Sequence, residues 1–334
     1  MSLRLPFHYA FLHRILLIGI CCLLPAAAFA AQFIRIASFN IAEFGEGDRP
    51  QQRDIPAIAR MLAEHNLDLI ALQEVGVKAV HATQVKILTE ELNRVRPEGA
   101  SRFYYFVTPP SGDERYAVIY RFPVQMEDGV DWVESNQKVK GRQAGGETFF
   151  RVPTILTFQA HNFDFKLGIM HLTWGNLDRR EKEMQALETF LRQERKGEQD
   201  WIFVGDMNRY GKYQKKDKKA FDALLRKGWQ TFYRFPLLEA ITEPDDMTVF
   251  SAPADEKSTT IAGSRDLYDQ IIISRGAYRE FGTAKPEFNI HAGIIAFDRL
   301  PPYNAMKDHN EIKYTISDHR PIWARFQIDL DDDD

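Results

Sequence analysis

The sequence contains little cysteine and no large excess of charge of either sign. Only two of its 334 residues are cysteines, Cys21 and Cys22, and both fall in an N-terminal segment that we predict is removed. An exported chain without cysteine has neither disulfides nor thiolate zinc sites, so a hydrophobic core must stabilise it, with or without a bound metal. The net charge of −4 excludes a global basic field, although a local basic patch is enough to bind nucleic acid.

Only one apolar run has the form of a targeting segment. Arg4 and Arg14 precede the run 15–24, Pro25 ends it, and residues 28–30 read Ala-Phe-Ala. These features predict a secretory signal peptide over residues 1–30 and a periplasmic or secreted protein. The run is short for a bilayer span, which disfavours the alternative of an N-terminal membrane anchor.

The rest of the chain lacks repeats, linkers and shifts in composition. We therefore predict one domain over residues 31–329, which acts as a monomer and is followed by a solvated acidic tail at 330–334.

Apolar patterns predict many short strands, some joined by helices and others by hairpins. Strands are expected over 33–39, 67–74, 103–107, 116–121, 149–158, 163–170, 201–204, 267–274 and 322–328. Helices are expected over 50–65 with a cap at Asp48, over 80–95, from Asp178 onward, and over 219–227. The stretches 131–147 and 286–314 are expected to be irregular. This order predicts an α/β fold with two packed mixed sheets flanked by helices.

The segment 201–208 shows how a strand and a polar pair combine. Four apolar residues, Trp-Ile-Phe-Val, precede Gly205, and Asp206 and Asn208 follow two positions apart. Side chains two apart in an extended chain point the same way, so a carboxylate and an amide would emerge together. The alternative is a turn that merely ends the strand, which is a common use of such residues.

The same arrangement recurs along the chain, because polar groups repeatedly stand at or beside the ends of apolar strands. They are Asn40, Glu74, His171, Asp206, Asn208, Asp269, Asp318 and His319. Such residues are expected to converge at one edge of the sheets. The carboxylates and amides are hard oxygen donors that suit magnesium, with calcium or manganese as alternatives, and the histidines suit an anion such as phosphate.

Four motifs in order resemble the endonuclease/exonuclease/phosphatase superfamily. They are Ser-Phe-Asn-Ile at 38–41, Leu-Gln-Glu-Val at 72–75, Gly-Asp-Met-Asn at 205–208 and Ser-Asp-His-Arg-Pro-Ile at 317–322. Residues 114–121 and 267–271 are most similar to the DNase I-like branch. The resemblance implies a four-layer α/β/β/α sandwich and a metal-dependent phosphodiester hydrolase, most similar to a secreted endonuclease.

The resemblance also implies a role for each site residue. Asn40, Glu74 and Asp318 would bind the metal. Asp206 would orient or deprotonate the attacking water, Asn208 and His319 would contact the scissile phosphate, and Asp269 would orient His319. His171 would assist proton transfer at the leaving oxygen, and Arg121 would contact a substrate phosphate.

Two departures from the DNase I-like pattern concern the recognition of the substrate and the strength of His171 as an acid. Gly76 stands where an arginine would enter the minor groove. A glutamate that partners the first histidine is expected near 108–110, where the sequence has no carboxylate.

Nucleic acid is the expected substrate, because a basic cluster with interleaved tyrosines follows the Asp206 motif. It includes Arg209 and Lys212, which we predict bind the phosphate backbone, although charge runs are often only solvated. A sphingomyelinase-like phospholipid phosphodiesterase is the main alternative and would require an exposed aromatic hairpin. An inositol polyphosphate 5-phosphatase ranks third, because the segment 265–270 lacks its motif. A non-catalytic exported toxin or adhesin subunit is the alternative of another class. The sequence leaves DNA, RNA and lipid undecided.

Overall fold

The computed structural model describes most of the domain after the first segment. The described residues are 32–45, 53–127, 149–180, 182–183, 186, 200–208, 258–261, 268–273, 277, 280, 292–306 and 308–329. The predicted signal peptide, the loop 131–147, the basic cluster with Arg209 and Lys212, the helix 219–227 and the acidic tail lie outside them. Residues from Phe33 onward cluster as one compact unit.

Eleven strands and three α-helices are defined within the described residues. The strands are β1 Phe33–Phe44, β2 Leu69–Gly76, β3 Phe103–Val107, β4 Glu114–Arg121, β5 Gln125–Met126, β6 Thr154–Ala160, β7 Phe163–His171, β8 Trp201–Asp206, β9 Asp269–Ile273, β10 Ala292–Ile294 and β11 Ile322–Gln327. The helices are α1 Ile55–Glu64, α2 Ala79–Val95 and α3 His309–Thr315, with 3-10 turns at Phe297–Arg299 and Tyr303–Ala305. Residues 177–180 are also helical.

Both sheets are mixed, and each has a single parallel pair. The first has the order β10-β11-β1-β2-β4-β3, in which only β1 and β2 run parallel, with α1 between them in the chain. The second has the order β5-β6-β7-β8-β9, in which only β7 and β8 run parallel. A parallel pair brings two carboxyl ends to one edge, and these ends carry the candidate site.

Two hydrophobic cores separate the layers. One lies between the sheets and contains aromatic side chains from both, including the stacked rings of Phe163, Phe165 and Phe326. The other packs the first sheet against α1, α2 and α3 through residues such as Phe39 and Leu88. The two packed mixed sheets confirm the predicted fold class. The predicted helix 219–227 lies outside the described residues, so a helix layer on the second sheet stays a prediction.

Two local predictions were wrong. The stretch 286–314 is not irregular throughout, because it contributes β10, two 3-10 turns and α3, of which Ile312 is buried in the second core. Helix α1 is capped by Asp54 rather than Asp48, because an Asp54 carboxylate oxygen accepts a hydrogen bond from the Ala57 amide at 2.9 Å and Pro56 stands in the first turn. No helix in the described ranges is long and apolar enough to cross a membrane.

Gly205 is required at the end of β8. Its φ is +145°, and a Cβ at this position would clash with the carbonyl oxygen of Met170 on the neighbouring strand. We expect Gly205→Ala to lower the free energy of unfolding by about 3 kcal/mol, measured by urea denaturation. Gly99→Ala is the control, because Gly99 has a φ of +80° but open space around it, and should cost only about 1 kcal/mol. Equal losses in the two variants would contradict the close approach at Gly205.

Candidate active site

The strand registers place polar residues from both sheets at one edge. In the second sheet His171 pairs with Asp206 and Asp206 pairs with Asp269, so three predicted site residues stand side by side on β7, β8 and β9. In the first sheet Asn40 on β1 pairs with the residue before Glu74 on β2. The structure therefore brings together Asn40, Glu74, His171, Asp206 and Asp269, as the strand-end pattern predicts.

The backbone at this edge is irregular. The pairing of β1 with β2 shifts in register between Asn40 and Phe44, and the pairing of β2 with β4 shifts between Leu72 and Val75. Glu74 lies at both irregularities. Glu74 itself has a φ of +60°. Left-handed backbone is unfavourable for a residue with a side chain, and it persists where the surroundings hold it. The bulge thus turns the Glu74 carboxylate towards the site.

Asn40 joins the two central carboxylates. Its Nδ2 donates to Glu74 Oε1 at 2.8 Å and to Asp206 Oδ2 at 3.1 Å, while its Oδ1 accepts from the Ala42 amide at 3.0 Å. The Ala42 contact fixes the orientation of the amide, because an N–H needs an acceptor. Asn40 therefore donates to both carboxylates and positions them, and its predicted role as a metal ligand stays a prediction.

Two imidazoles flank the same oxygen of Asp206. His171 Nε2 lies 3.6 Å and His319 Nε2 lies 3.7 Å from Asp206 Oδ2. The opposite nitrogen of each ring meets a buried carboxylate at 2.8 Å, with His171 Nδ1 facing Glu114 Oε2 and His319 Nδ1 facing Asp269 Oδ2. Each ring is therefore held between two carboxylates, and its orientation is fixed.

These carboxylates favour the charged form of both histidines. Burial lowers the pKa of His171, but attraction to Glu114, the hydrogen bond between them and attraction to Asp206 outweigh burial and raise its pKa to about 9. Burial likewise lowers the pKa of His319, and Asp269 and Asp206 raise it well above its usual value. The site therefore holds two imidazolium ions beside Asp206 at neutral pH when no cation is bound.

Glu114 is a site residue that the sequence analysis missed. The prediction that no carboxylate partners the first histidine was wrong, because Glu114 at the start of β4 occupies that position. Its partner strand β2 has a register shift, which brings Glu114 opposite Gly76 and beside the acidic centre. The signal that could have found it is the carboxylate at the start of the matched segment 114–121.

The donor set at the centre fits a divalent cation. One ligand atom from each of Glu74, His171 and Asp206 lies within 4.8 Å of the others. Two of these donors are carboxylate oxygens, which suit magnesium, calcium or manganese. Glu74, whose carboxylate is the partly exposed one, is the residue that would hold such an ion, with Asp206 beside it.

Asp318 and Asn208 make other contacts. Asp318 Oδ2 lies 2.9 Å from Lys313 Nζ, so its charge is neutralised by the protein itself, and no ion-binding group of described residues includes it. Burial raises the pKa of Asp318, but attraction to His319 and Lys313 outweighs burial and lowers it. Asn208 donates its side-chain amide to the Leu172 carbonyl at 2.8 Å, and its backbone N–H donates to Asp206 Oδ1 at 2.8 Å. Asn208 therefore fixes the orientation of Asp206.

The position of Arg121 in β4 contradicts its predicted contact with substrate. Arg121 stands at the end of the strand opposite to Glu114, and its guanidinium lies 2.8 Å from Asp68 and donates to the Leu67 carbonyl at 3.0 Å. It stabilises the fold at the far edge of the sheet. The predicted contacts of Arg209 and Lys212 lie outside the described residues and remain predictions.

Arg151 is a further cation at the site that the sequence analysis missed. It lies 3.0 Å from Glu114 Oε2 and 2.8 Å from Asp113 Oδ1. A cavity of about 240 Å³ opens beside it, and its lining residues are Glu43, Glu74, Val75, Gly76, Asp113, Glu114 and Arg151. The cavity therefore connects the acidic centre with a guanidinium that can bind an anion.

Comparisons with known proteins agree on one family. The model of the family described as endonuclease/exonuclease/phosphatase matches residues 37–319. Human deoxyribonuclease-1 is 26% identical over 315 residues, which cover 92% of this chain and 96% of that protein. Human deoxyribonuclease gamma is 26% identical over 308 residues, which cover 91% of this chain and 90% of that protein.

Solved structures share the fold. The structure of truncated TDP2 from Caenorhabditis elegans has a TM-score of 0.51 at 17% identity and covers 88% of this chain and 98% of its own. An endonuclease/exonuclease/phosphatase from Bacteroides vulgatus has a TM-score of 0.50 at 15% identity and covers 89% of this chain and 99% of its own.

The contact between His171 and Glu114 predicts a pH effect in the metal-free protein. A raised histidine pKa contributes stability that is fully present below pH 6.5 and is lost as the pH rises through about 9. We expect Glu114→Gln to lower the pKa of His171 and to reduce the decline of unfolding free energy between these values. NMR titration of the imidazole and urea unfolding at several pH values measure the two effects. A titration unchanged by the substitution would contradict the contact.

Proposed function

Because the chain belongs to the endonuclease/exonuclease/phosphatase family, we propose that it is an exported, divalent-metal-dependent endonuclease that hydrolyses DNA or RNA. The relatives named deoxyribonuclease match more than nine-tenths of its length, which supports a nucleic-acid substrate. The predicted signal peptide over residues 1–30 supports export to the periplasm or beyond.

One observation carries the proposal of phosphodiester hydrolysis. A single carboxylate oxygen, Asp206 Oδ2, lies between two imidazoles at 3.6 and 3.7 Å, each of them held by its own carboxylate. Hydrolysis needs a group that accepts the proton of the attacking water, a group that protonates the leaving oxygen, and cations that stabilise the charge on the phosphoryl oxygens. Asp206, His171 and His319 are suited to these three tasks.

Glu74 would hold a magnesium ion, or calcium or manganese in its place, with Asp206 beside it as the proton acceptor. Carboxylate oxygens are the hard donors that these ions prefer, and Asn40 holds both carboxylates in position. When bound, the ion supplies charge neutralisation at the phosphoryl oxygens. Asp318, which pairs with Lys313, would contribute through the charge of the surrounding shell rather than as a direct ligand.

The protein groups divide the proton transfers between them. Asp206 takes a proton from water as the new oxygen–phosphorus bond forms, because Asn208 and Asn40 fix its two oxygens. His171, charged because of Glu114, gives a proton to the leaving oxygen as the old bond breaks. His319, charged because of Asp269, stabilises the negative phosphoryl oxygens.

The remaining substrate contacts follow the cations around the centre. Arg151 lines the cavity next to Glu74 and would bind a neighbouring phosphate in exchange for Asp113. Arg209 and Lys212 follow Asn208 in the sequence and would extend this binding along the backbone.

The metal requirement predicts a simple assay. Purified protein should nick supercoiled plasmid DNA in magnesium, or in calcium or manganese, and EDTA should stop the reaction, because the carboxylates alone leave the phosphoryl charge without enough neutralisation. Gel electrophoresis of the plasmid measures nicking. Cleavage of sphingomyelin vesicles without nicking would contradict the proposed substrate, and inertness towards both would contradict catalysis.

His319 should be essential for turnover but not for folding. We expect His319→Ala to reduce the rate by about 10²–10⁴-fold, because the variant loses a charged group beside the phosphate. His309→Ala is the matched control, since His309 lies exposed in α3 and has no place in the centre. Circular dichroism checks the fold of both variants. Near-normal nicking by folded His319→Ala would refute the role of His319.

A further inference from the structure

A tryptophan stands exposed on the loop that follows His171. The side chain of Trp174 is 74% exposed, the largest value among the large hydrophobic residues of the described chain. A single exposed apolar residue is ordinary on a protein surface and is not by itself a site. Trp174, however, lies three residues beyond the imidazole that we propose protonates the leaving oxygen.

A second exposed ring is that of Phe150, at the start of the segment before β6. Phe150 is 42% exposed, and the guanidinium carbons of Arg151 and Arg179 lie 5.1 Å and 5.3 Å from the centre of its ring. Both distances are within the range of cation–π contact. The ring therefore lies beside two positive charges.

Glu183 holds the backbone next to both exposed rings. Its side chain is fully buried, and its carboxylate accepts hydrogen bonds from the Phe150 amide at 3.1 Å, the Thr173 amide at 2.9 Å and the Thr173 hydroxyl at 2.7 Å. Arg180 also donates to the Thr173 carbonyl at 3.0 Å. Hydrogen bonds to a buried charge are strong, so the backbone beside both rings is fixed before any ligand arrives.

Arg151 connects this support to the reacting centre. The same guanidinium that lies over Phe150 is 3.0 Å from Glu114 Oε2, and the other contact of that oxygen is His171 Nδ1 at 2.8 Å. A nucleic acid with a phosphate at His171 would therefore have a neighbouring phosphate or base within reach of Arg151 and the two rings.

We propose that Trp174 and Phe150, flanked by Arg151 and Arg179, form a stacking subsite for an unpaired nucleobase next to the scissile phosphate. This inference rests on the proposed nuclease function and adds that single-stranded or locally opened nucleic acid is the preferred substrate. An aromatic face can stack only on a base whose own face is free, and paired bases inside a duplex offer none. Gly76, which lines the cavity without a side chain, adds no group that would read the groove of a duplex.

A lipid surface is the other macromolecular partner with phosphates and an apolar layer. The arrangement favours a base over a lipid, because the Phe150 ring lies beside two guanidinium groups, which suit a base with a neighbouring phosphate better than an acyl layer. The rigid support by Glu183 also suits the flat face of a base, which requires a fixed partner.

Binding and cleavage of oligonucleotides test the subsite separately. Binding is measured by fluorescence anisotropy in magnesium with the turnover-deficient His319→Ala protein, on a labelled single strand and on its duplex. Adding Trp174→Ala should weaken single-strand binding about tenfold, or about 1.4 kcal/mol, and change duplex binding less than about twofold. Trp174→Phe should retain most of the affinity. Tyr104→Ala is the control, because Tyr104 is 58% exposed on the edge strand β3, and should change neither.

With His319 intact, Trp174→Ala should raise KM for the single strand and leave kcat nearly unchanged. Equal weakening of single strand and duplex, or no weakening of either, would overturn the subsite. Loss of binding to vesicles of phosphatidylserine and phosphatidylcholine, with oligonucleotide binding unchanged, would overturn it in favour of a membrane contact. A wild-type protein that cleaves no nucleic acid would contradict the nuclease function itself, whereas cleavage without the selective effect of Trp174 contradicts only the subsite.

Discussion

The arrangement of the site depends on the negative charge of one buried oxygen, Asp206 Oδ2. The residue is only 2% exposed, so the charge is poorly solvated, and the protein surrounds it with an amide and two imidazoles. Each imidazole would itself be costly to charge in this environment, and Glu114 and Asp269 compensate by contact at 2.8 Å. The result is an alternation of carboxylates and imidazoles in which each imidazole lies between two carboxylates.

This alternation is possible because the two sheets deliver different chemical groups to the same edge. The second sheet supplies His171, Asp206 and Asp269 in register, and the first supplies the Asn40 amide and the Glu74 carboxylate from its parallel pair. The core between the sheets holds the two sets at a fixed separation, because close-packed aromatic layers resist sliding. The site is therefore a property of sheet packing more than of any one loop.

The sequence predicted the elements and the strand ends well, since both depend on local patterns. It failed where the result depends on the pairing register. Glu114 was missed because a bulge in β2 places it near the centre, and Arg121, in the same strand, was assigned to a site that lies at the other end. The orientation of the Asn40 amide depends on the Ala42 N–H, and the neutralisation of Asp318 depends on Lys313. Such polar contacts leave no trace in hydrophobic periodicity.

Because His171, Asp206 and Asp269 lie side by side only in the native register, the site forms only when the three strands pair correctly. A shift of β8 by one residue against its neighbours would send the Asp206 carboxylate to the opposite face of the sheet, although the apolar residues would still be largely buried. A misaligned molecule could therefore look folded by its bulk spectroscopic signal and yet be inert. The activity recovered after refolding comes only from chains in which β7, β8 and β9 are correctly paired. Specific activity is therefore a stricter measure of refolding than secondary structure content.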